Sequence, residues 1–253
     1  MPGELTAGAE RRGALRVLAL RSLREFGVDA VITTRQGGVS EAPYDSLNLG
    51  THVGDDPRRV ATNRARVAEA MRVSTDHLVT LSQVHGAEVL EVDSSAQGEG
   101  DGLVTSSRDI AIAVLVADCL PIVFADGARR RVGVVHAGWR GLAAGVVASA
   151  LARFDDVRTV RAIIGPGVSP HVYQVGPEVS ENFRDVPGAV LADVGDRARL
   201  DLRAIALHQL GTLGVAPEHV EFVSAVTDGG GSFFSDRASR PTGRFALVAR
   251  VLA

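Results

Sequence analysis

The chain has 253 residues, 45% hydrophobic and 23% charged, the composition of one ordinary globular domain with a sizeable core rather than a disordered or fibrous protein. A net charge of −3 and a pI near 6.2 exclude a strongly basic surface, so neither nucleic acid nor membrane is an expected partner and small molecules are. All 27 basic residues are arginine, which suits bidentate recognition of anions wherever one is buried.

In chain order, residues 1 to about 13 are rich in Gly, Ala and charge without periodicity and read as a loose tail, leaving residues 14–253 as a single domain. Arg16 and Arg21 interrupt the apolar run that starts at Ala14, which is wrong for a secretory signal, and no stretch has the length and purity of a membrane span. With one cysteine in the chain, this predicts a cytoplasmic protein in a reducing compartment, and a monomer is the simplest oligomeric state. Residues 29–34, 78–83, 110–116, 131–135, 159–164, 219–223 and 245–251 read as strands. Several are apolar throughout, so they are expected to be covered on both faces, as in mixed α/β layers. Helices are expected over 57–72, with Asp55 or Asp56 as N-cap and Pro57 in the first turn, and over 141–154, 177–184 and 202–213. On the first of these, Asn63 and Arg64 fall on the same face as Val60, Val67 and Met71. A buried Arg64 requires either a carboxylate inside the fold or a polar cavity.

Three metal-competent side chains lie at or just beyond predicted strand ends: His85 in Ser82-Gln-Val-His-Gly, Cys119 in Ala117-Asp-Cys-Leu-Pro, and His136 in Val134-Val-His-Ala-Gly-Trp-Arg-Gly. Two imidazoles and a thiolate supply three of zinc's four tetrahedral positions and leave one open, the arrangement of a catalytic site. The same residues support a second reading, in which Cys119 is a nucleophile, a histidine is its base and Asp118 orients the imidazole. The glycine-rich turn around Arg140, from the strand end into a helix, offers backbone N–H groups to an anion such as phosphate. Ile164-Gly-Pro-Gly is a second strand-ending turn. No His-x-His pair occurs and the chain has seven histidines, too few for the several copper centres of a multicopper oxidase. His52 is a candidate to line the pocket rather than a ligand, and His208 has no expected functional role.

Taken together, Thr34-Arg-Gln-Gly-Gly-Val-Ser, Leu47-Asn-Leu-Gly-Thr-His-Val-Gly-Asp-Asp, Asn63-Arg64, Ser82-Gln-Val-His-Gly, Asp101-Gly-Leu-Val-Thr, Ala117-Asp-Cys-Leu-Pro, His136-Ala-Gly-Trp-Arg-Gly, Ile164-Gly-Pro-Gly, Tyr173-Gln-Val-Gly and Phe233-Phe-Ser-Asp-Arg, followed by Thr242-Gly-Arg, resemble the YfiH/YlmD family, also labelled laccase-domain or polyphenol oxidase proteins. The resemblance implies an α/β/β/α-like layered α+β domain with one zinc on His85, Cys119 and His136. It also implies phosphorolysis of adenosine, inosine, guanosine or methylthioadenosine, and deamination of adenosine. Asn48, Arg64 and Arg140 match positions expected around nucleoside and phosphate, while Cys119, His136 and Asp118 are the catalytic candidates, Asp118 for proton handling. Copper, which the polyphenol oxidase label suggests, is the alternative metal. The family pattern often has Cys-Thr at Val226-Thr227 and two arginines at Arg237-Ala238, so this chain lacks a non-ligand thiol and one cation at the pocket rim.

Overall fold

The computed structural model describes residues 2–5, 8–94 and 98–252. Its strands are β1 (Gly3–Leu5), β2 (Gly8–Arg12), β3 (Leu15–Ala19), β4 (Val28–Thr33), β5 (Leu78–Val79), β6 (Val89–Glu91), β7 (Gly102–Thr105), β8 (Ala111–Val116), β9 (Leu120–Asp126), β10 (Arg131–Ala137), β11 (Arg161–Ile164), β12 (Gly167–Val168), β13 (Gln174–Val175), β14 (Val190–Ala192), β15 (Ala198–Leu200), β16 (Val220–Val223), β17 (Val226–Thr227) and β18 (Phe245–Val251). The helices are α1 (Pro57–Ala70), α2 (Trp139–Ala144), α3 (Val146–Leu151), α4 (Pro177–Ser180) and α5 (Leu202–Thr212). A seven-stranded sheet runs β1-β16-β11-β9-β10-β7-β6, and a six-stranded sheet runs β2-β3-β4-β18-β8-β5.

The two sheets pack face to face. Ile32, Ile112, Val114, Phe245 and Leu247 of the six-stranded sheet meet Val123, Val132, Val134 and Ile163 of the seven-stranded one in a single apolar cluster. The outer face of the seven-stranded sheet is covered by α2, α3 and α5 through Leu142, Val147, Leu151, Ile205 and Leu210. α1 covers the other outer face, with Val67 and Met71 packed on Val31, Ala113 and Val248. These four layers are the α/β/β/α architecture expected, and they explain why β8 and β9 are buried at every position: each strand has one face on the inter-sheet core and the other under a helix.

Several elements depart from the sequence-based expectation, each for a local reason. Residues 3–5 and 8–12, expected in a loose tail, form β1, paired with β16, and β2, whose Arg12 guanidinium donates to both oxygens of Asp29 at 2.7 Å and to Glu10 at 2.9 Å. Such a bidentate pair fixes a strand that composition alone leaves unassigned. The helix expected over 141–154 is two helices, α2 and α3, divided at Gly145, whose φ of 87° lies in the left-handed region and ends the first of them. The strand expected over 78–83 stops at Val79, because the Gln83 side chain takes the ladder's place: its Nε2 donates to the Leu115 carbonyl at 2.8 Å and its Oε1 accepts from the Leu115 N–H at 2.7 Å. β9 carries Pro121, a residue that argues against a central strand; it sits one residue from the strand's start.

Candidate metal centre and its cavity

β8 belongs to the six-stranded sheet and β9 to the seven-stranded one, so the chain passes between sheets at Ala117–Cys119. Asp118 turns it with a φ of 91°, a conformation a non-glycine residue keeps only where its surroundings compensate. Here they do. Its Oδ1 accepts from the hydroxyls of Thr227 at 2.6 Å and Ser235 at 2.7 Å, its Oδ2 from the Arg237 N–H at 2.6 Å, and its carbonyl from the Val168 N–H at 2.8 Å.

The turn delivers Cys119 to the start of β9, beside β10. In that antiparallel pair Ala137 faces Leu120 and His136 faces Pro121, so the next step of the register sets Gly138 against Cys119. A Cβ on Gly138 would stand 2.7 Å from Cys119 Sγ and 3.4 Å from His85 Cδ2. Only glycine leaves the sulfur its place. His85 comes from the loop after β5, with a φ of 60°. That strained backbone is wrapped on Asp101, a fully buried residue just before β7, whose carboxylate accepts the N–H groups of Val84 at 3.2 Å, His85 at 3.0 Å and Gly86 at 2.6 Å.

Asp101 Oδ1 also lies 2.8 Å from Nδ1 of His136. With Nδ1 committed to this carboxylate, Nε2 of His136 is the nitrogen available to a metal. The two imidazoles stand edge to face, 4.7 Å between centroids, and one ligand atom from each of His85, Cys119 and His136 lies within 4.8 Å of the others. Two imidazole nitrogens and a thiolate fit a single borderline-soft cation with a fourth position open to the cavity. Burial opposes ionisation of the Cys119 thiol, yet the charge on His136 and hydrogen bonds from both histidines outweigh it and bring the thiol down to about 6. Burial likewise disfavours protonated His136, but the thiolate and Asp101 carry it up to about 9. At neutral pH the sulfur is therefore in the form that binds metal or attacks an electrophile.

The triad opens into a cavity of about 880 Å³ whose wall includes His52, Arg64, Trp139, Arg140, Tyr173, Asp236, Arg237, Arg240 and Arg244. Arg64 sits where the α1 face placed it and meets the polar cavity instead of a carboxylate: its Nε donates to the Leu49 carbonyl at 3.0 Å, and burial lowers its pKa from the ordinary guanidinium value. Arg140 is exposed and lies over the Trp139 ring at 4.4 Å. His52 lines the cavity, its pKa lowered by burial and then by Arg244, Arg64 and His85. Asn48 is absent from the wall. It is fully buried, its Nδ2 donating to Asp55 and the Gly50 carbonyl and its Oδ1 accepting the N–H groups of Gly50 and Arg244. It thus reaches the cavity only by fixing the backbone of Arg244, because no polar atom is left to face a ligand.

The family described as "Multi-copper polyphenol oxidoreductase laccase" matches residues 29–251. A purine nucleoside phosphorylase of Mycobacterium tuberculosis is 41% identical over 226 residues, 86% of this chain and 90% of that protein. Purine nucleoside phosphorylase YfiH of Escherichia coli is 38% identical, over 87% of this chain and 92% of its own length. The crystal structure of YlmD from Geobacillus stearothermophilus superposes with a TM-score of 0.86 at 29% identity, covering 98% of this chain and 100% of that one. The chain belongs to the YfiH/YlmD family.

Within this family member, the donor set answers the copper in the family's description. Among the described residues, one group of metal-competent side chains converges, the triad itself, whereas a multicopper site needs a blue-copper centre and a further cluster of imidazoles. The structure brings together His85, Cys119, His136, Asp118, Arg64 and Arg140 at one cavity and leaves Asn48 behind it. Exposed His208, on α5, is not on the wall. Sequence reasoning missed Asp101, which joins two ligand-bearing segments, and the stacking of Arg237 on Tyr173 at 5.0 Å. Neither carries a local signal, since each depends on partners at least 15 residues away in the chain.

Proposed function

We propose that the chain is a zinc-dependent purine nucleoside phosphorylase acting on adenosine, inosine, guanosine and methylthioadenosine, and that it also deaminates adenosine. The observation that carries the metal part is the convergence of two imidazoles on one thiolate, with His85 held in a strained conformation to get there. The substrate class rests on the names of the relatives together with a basic cavity at that centre. His85, Cys119 and His136 would hold the zinc, which would supply Lewis-acid chemistry there.

The chain's own residues do the remaining work. Arg64, desolvated and without a carboxylate partner among the described residues, holds inorganic phosphate for attack on ribose C1′ as the bond to the purine breaks. Arg140 adds positive charge to the same cavity. In deamination, water replaces the amino group at C6 and ammonia leaves. Asp118, whose two oxygens already accept three hydrogen bonds, serves by holding the cavity wall in place rather than by moving protons. Asn48 serves through Arg244. A thiolate ligand of this kind works in a reducing compartment, which fits a cytoplasmic enzyme. No described helix is long and apolar enough to cross a membrane.

The test is phosphate-dependent release of hypoxanthine from inosine and of adenine from adenosine, measured with metal content on protein purified without added metal. About one zinc per chain with phosphate-dependent release of base is the expected result. Zinc-loaded protein that releases no base and forms no inosine from adenosine would defeat the proposal. A second reading, a cysteine hydrolase, is favoured by the line Asp101–His136–Cys119. It leaves the second imidazole at the sulfur without a task, and it predicts a metal-free protein whose Cys119 is rapidly alkylated.

A further inference from the structure

The cavity has more unpaired cation than one phosphate ion needs. Of its five arginines, Arg240 and Arg244 both pair with Asp236. Arg64, Arg140 and Arg237 have no carboxylate partner among the described residues, and they divide by position. Arg64 is half-buried on α1, whereas Arg140 and Arg237 are exposed on the cavity wall.

The two exposed arginines are not free-swinging surface groups. Arg140 lies over the Trp139 ring at 4.4 Å, and Arg237 over Tyr173 at 5.0 Å while donating to the Gln174 carbonyl at 3.3 Å. Both act electrostatically on the Tyr173 hydroxyl. Burial and then the Cys119 charge push its pKa up to about 12, and Arg237 and Arg140 pull against that rise. Tyr173, on the same cavity wall as both, is thus a neutral hydrogen-bond donor. Stacking pre-orients a guanidinium while leaving its N–H fork directed away from the ring, the arrangement that recognises a phosphate monoester.

We infer that the cavity has two anion subsites, an inner one at Arg64 and an outer one at Arg140, Tyr173 and Arg237, and that its outer subsite takes the 5′-phosphate of a purine nucleoside monophosphate. This rests on the proposed function for its base and ribose, and it extends the ligand class from nucleosides to nucleotides. At about 880 Å³ the cavity is toward the upper end of the range of small-molecule sites, about 300–1,000 Å³, which accommodates a nucleotide together with inorganic phosphate. The chain's Ala238, where the family pattern often has a second arginine, leaves Arg237 as the cation that this segment contributes beside Tyr173.

The test is calorimetric titration of the protein as purified with AMP, adenosine, ribose 5-phosphate and inorganic phosphate, in parallel with phosphate-dependent turnover of adenosine. AMP is expected to bind about tenfold tighter than adenosine and tighter than ribose 5-phosphate, and Arg237→Ala to abolish the AMP preference. Arg237→Gln, which keeps the side chain's bulk but not its charge, is expected to do the same. The inference is overturned if AMP binds no tighter than adenosine, if ribose 5-phosphate matches AMP, or if both variants leave the AMP-to-adenosine ratio unchanged. An AMP preference lost in both variants, in protein that does not turn over adenosine, upholds the outer subsite and overturns the phosphorylase reading instead.

Discussion

The ligand corner and the arginine wall meet in one cavity but are built differently. Cys119 and His136 stand at adjoining ends of two buried, paired strands, and His85 is tied to them through Asp101. Asp236, Arg237, Arg240 and Arg244 sit in the segment between Thr227 and Phe245, which contains neither strand nor helix and whose side-chain anchor to the ligand corner is Asp118. The two carboxylates beside the triad divide the work: Asp101 fixes the atoms that would hold a metal, and Asp118 fixes the surface that would recognise a ligand. Catalytic positions tolerate little displacement, so they belong on the rigid side of this division.

The division can be broken from either side. The largest effect is expected from Cys119→Ala or His136→Ala, which remove a donor: metal measured after purification should be lost and nucleoside turnover should fall by about a thousandfold or more. Next come the supports of the ligand corner. Asp101→Asn presents an amide N–H₂ to backbone N–H donors, and Gly138→Ala puts a methyl into the space of Sγ. Each should weaken metal affinity by about 10–100-fold in competition with a chelator. Asp118→Asn tests the other side. It should retain metal, lose about 1–3 kcal/mol of stability in denaturant melts, and raise KM for the nucleoside more than it lowers kcat. A metal-free Asp118→Asn protein would show that the two regions are one unit.

A smaller effect is expected from pH. In metal-free protein the Cys119 thiol ionises near 6 instead of near the ordinary 9, so the thiolate is lost as pH falls through 6. The rate of alkylation of Cys119 should therefore rise through a midpoint near pH 6. A midpoint near 9 would mean that His85 and His136 do not act on the sulfur. Smallest of all, His208→Ala, on the exposed face of α5, should change stability by less than about 0.5 kcal/mol and leave metal content and turnover intact.

The legible parts of the molecule were those whose cause is local. The apolar run at β18, the Asp56 cap and Pro57 of α1, and the strand ends bearing Cys119 and His136 follow from periodicity and turn chemistry, and the structure has them where these signals put them. Arg64 was legible as a problem, a charge on a buried stripe, and the cavity is its solution. What escaped depends on distant partners. β2 pairs with β3 in a local hairpin, but what pins it is Asp29, 17 residues from Arg12. The early end of β5 is set by Gln83 acting on Leu115, 32 residues away. Asp118, reasonable as a proton carrier when read beside Cys119, is engaged by groups 109 to 119 residues downstream.

Asp101 has a consequence for the speed of loading. Because one carboxylate grips the backbone under His85 and the ring of His136 together, both imidazoles are posed before any ion arrives. An incoming cation then has no loop to fold and no tautomer to reset; it has only protons to displace. Uptake should accordingly follow the ionisation of the site rather than any slow rearrangement of the chain.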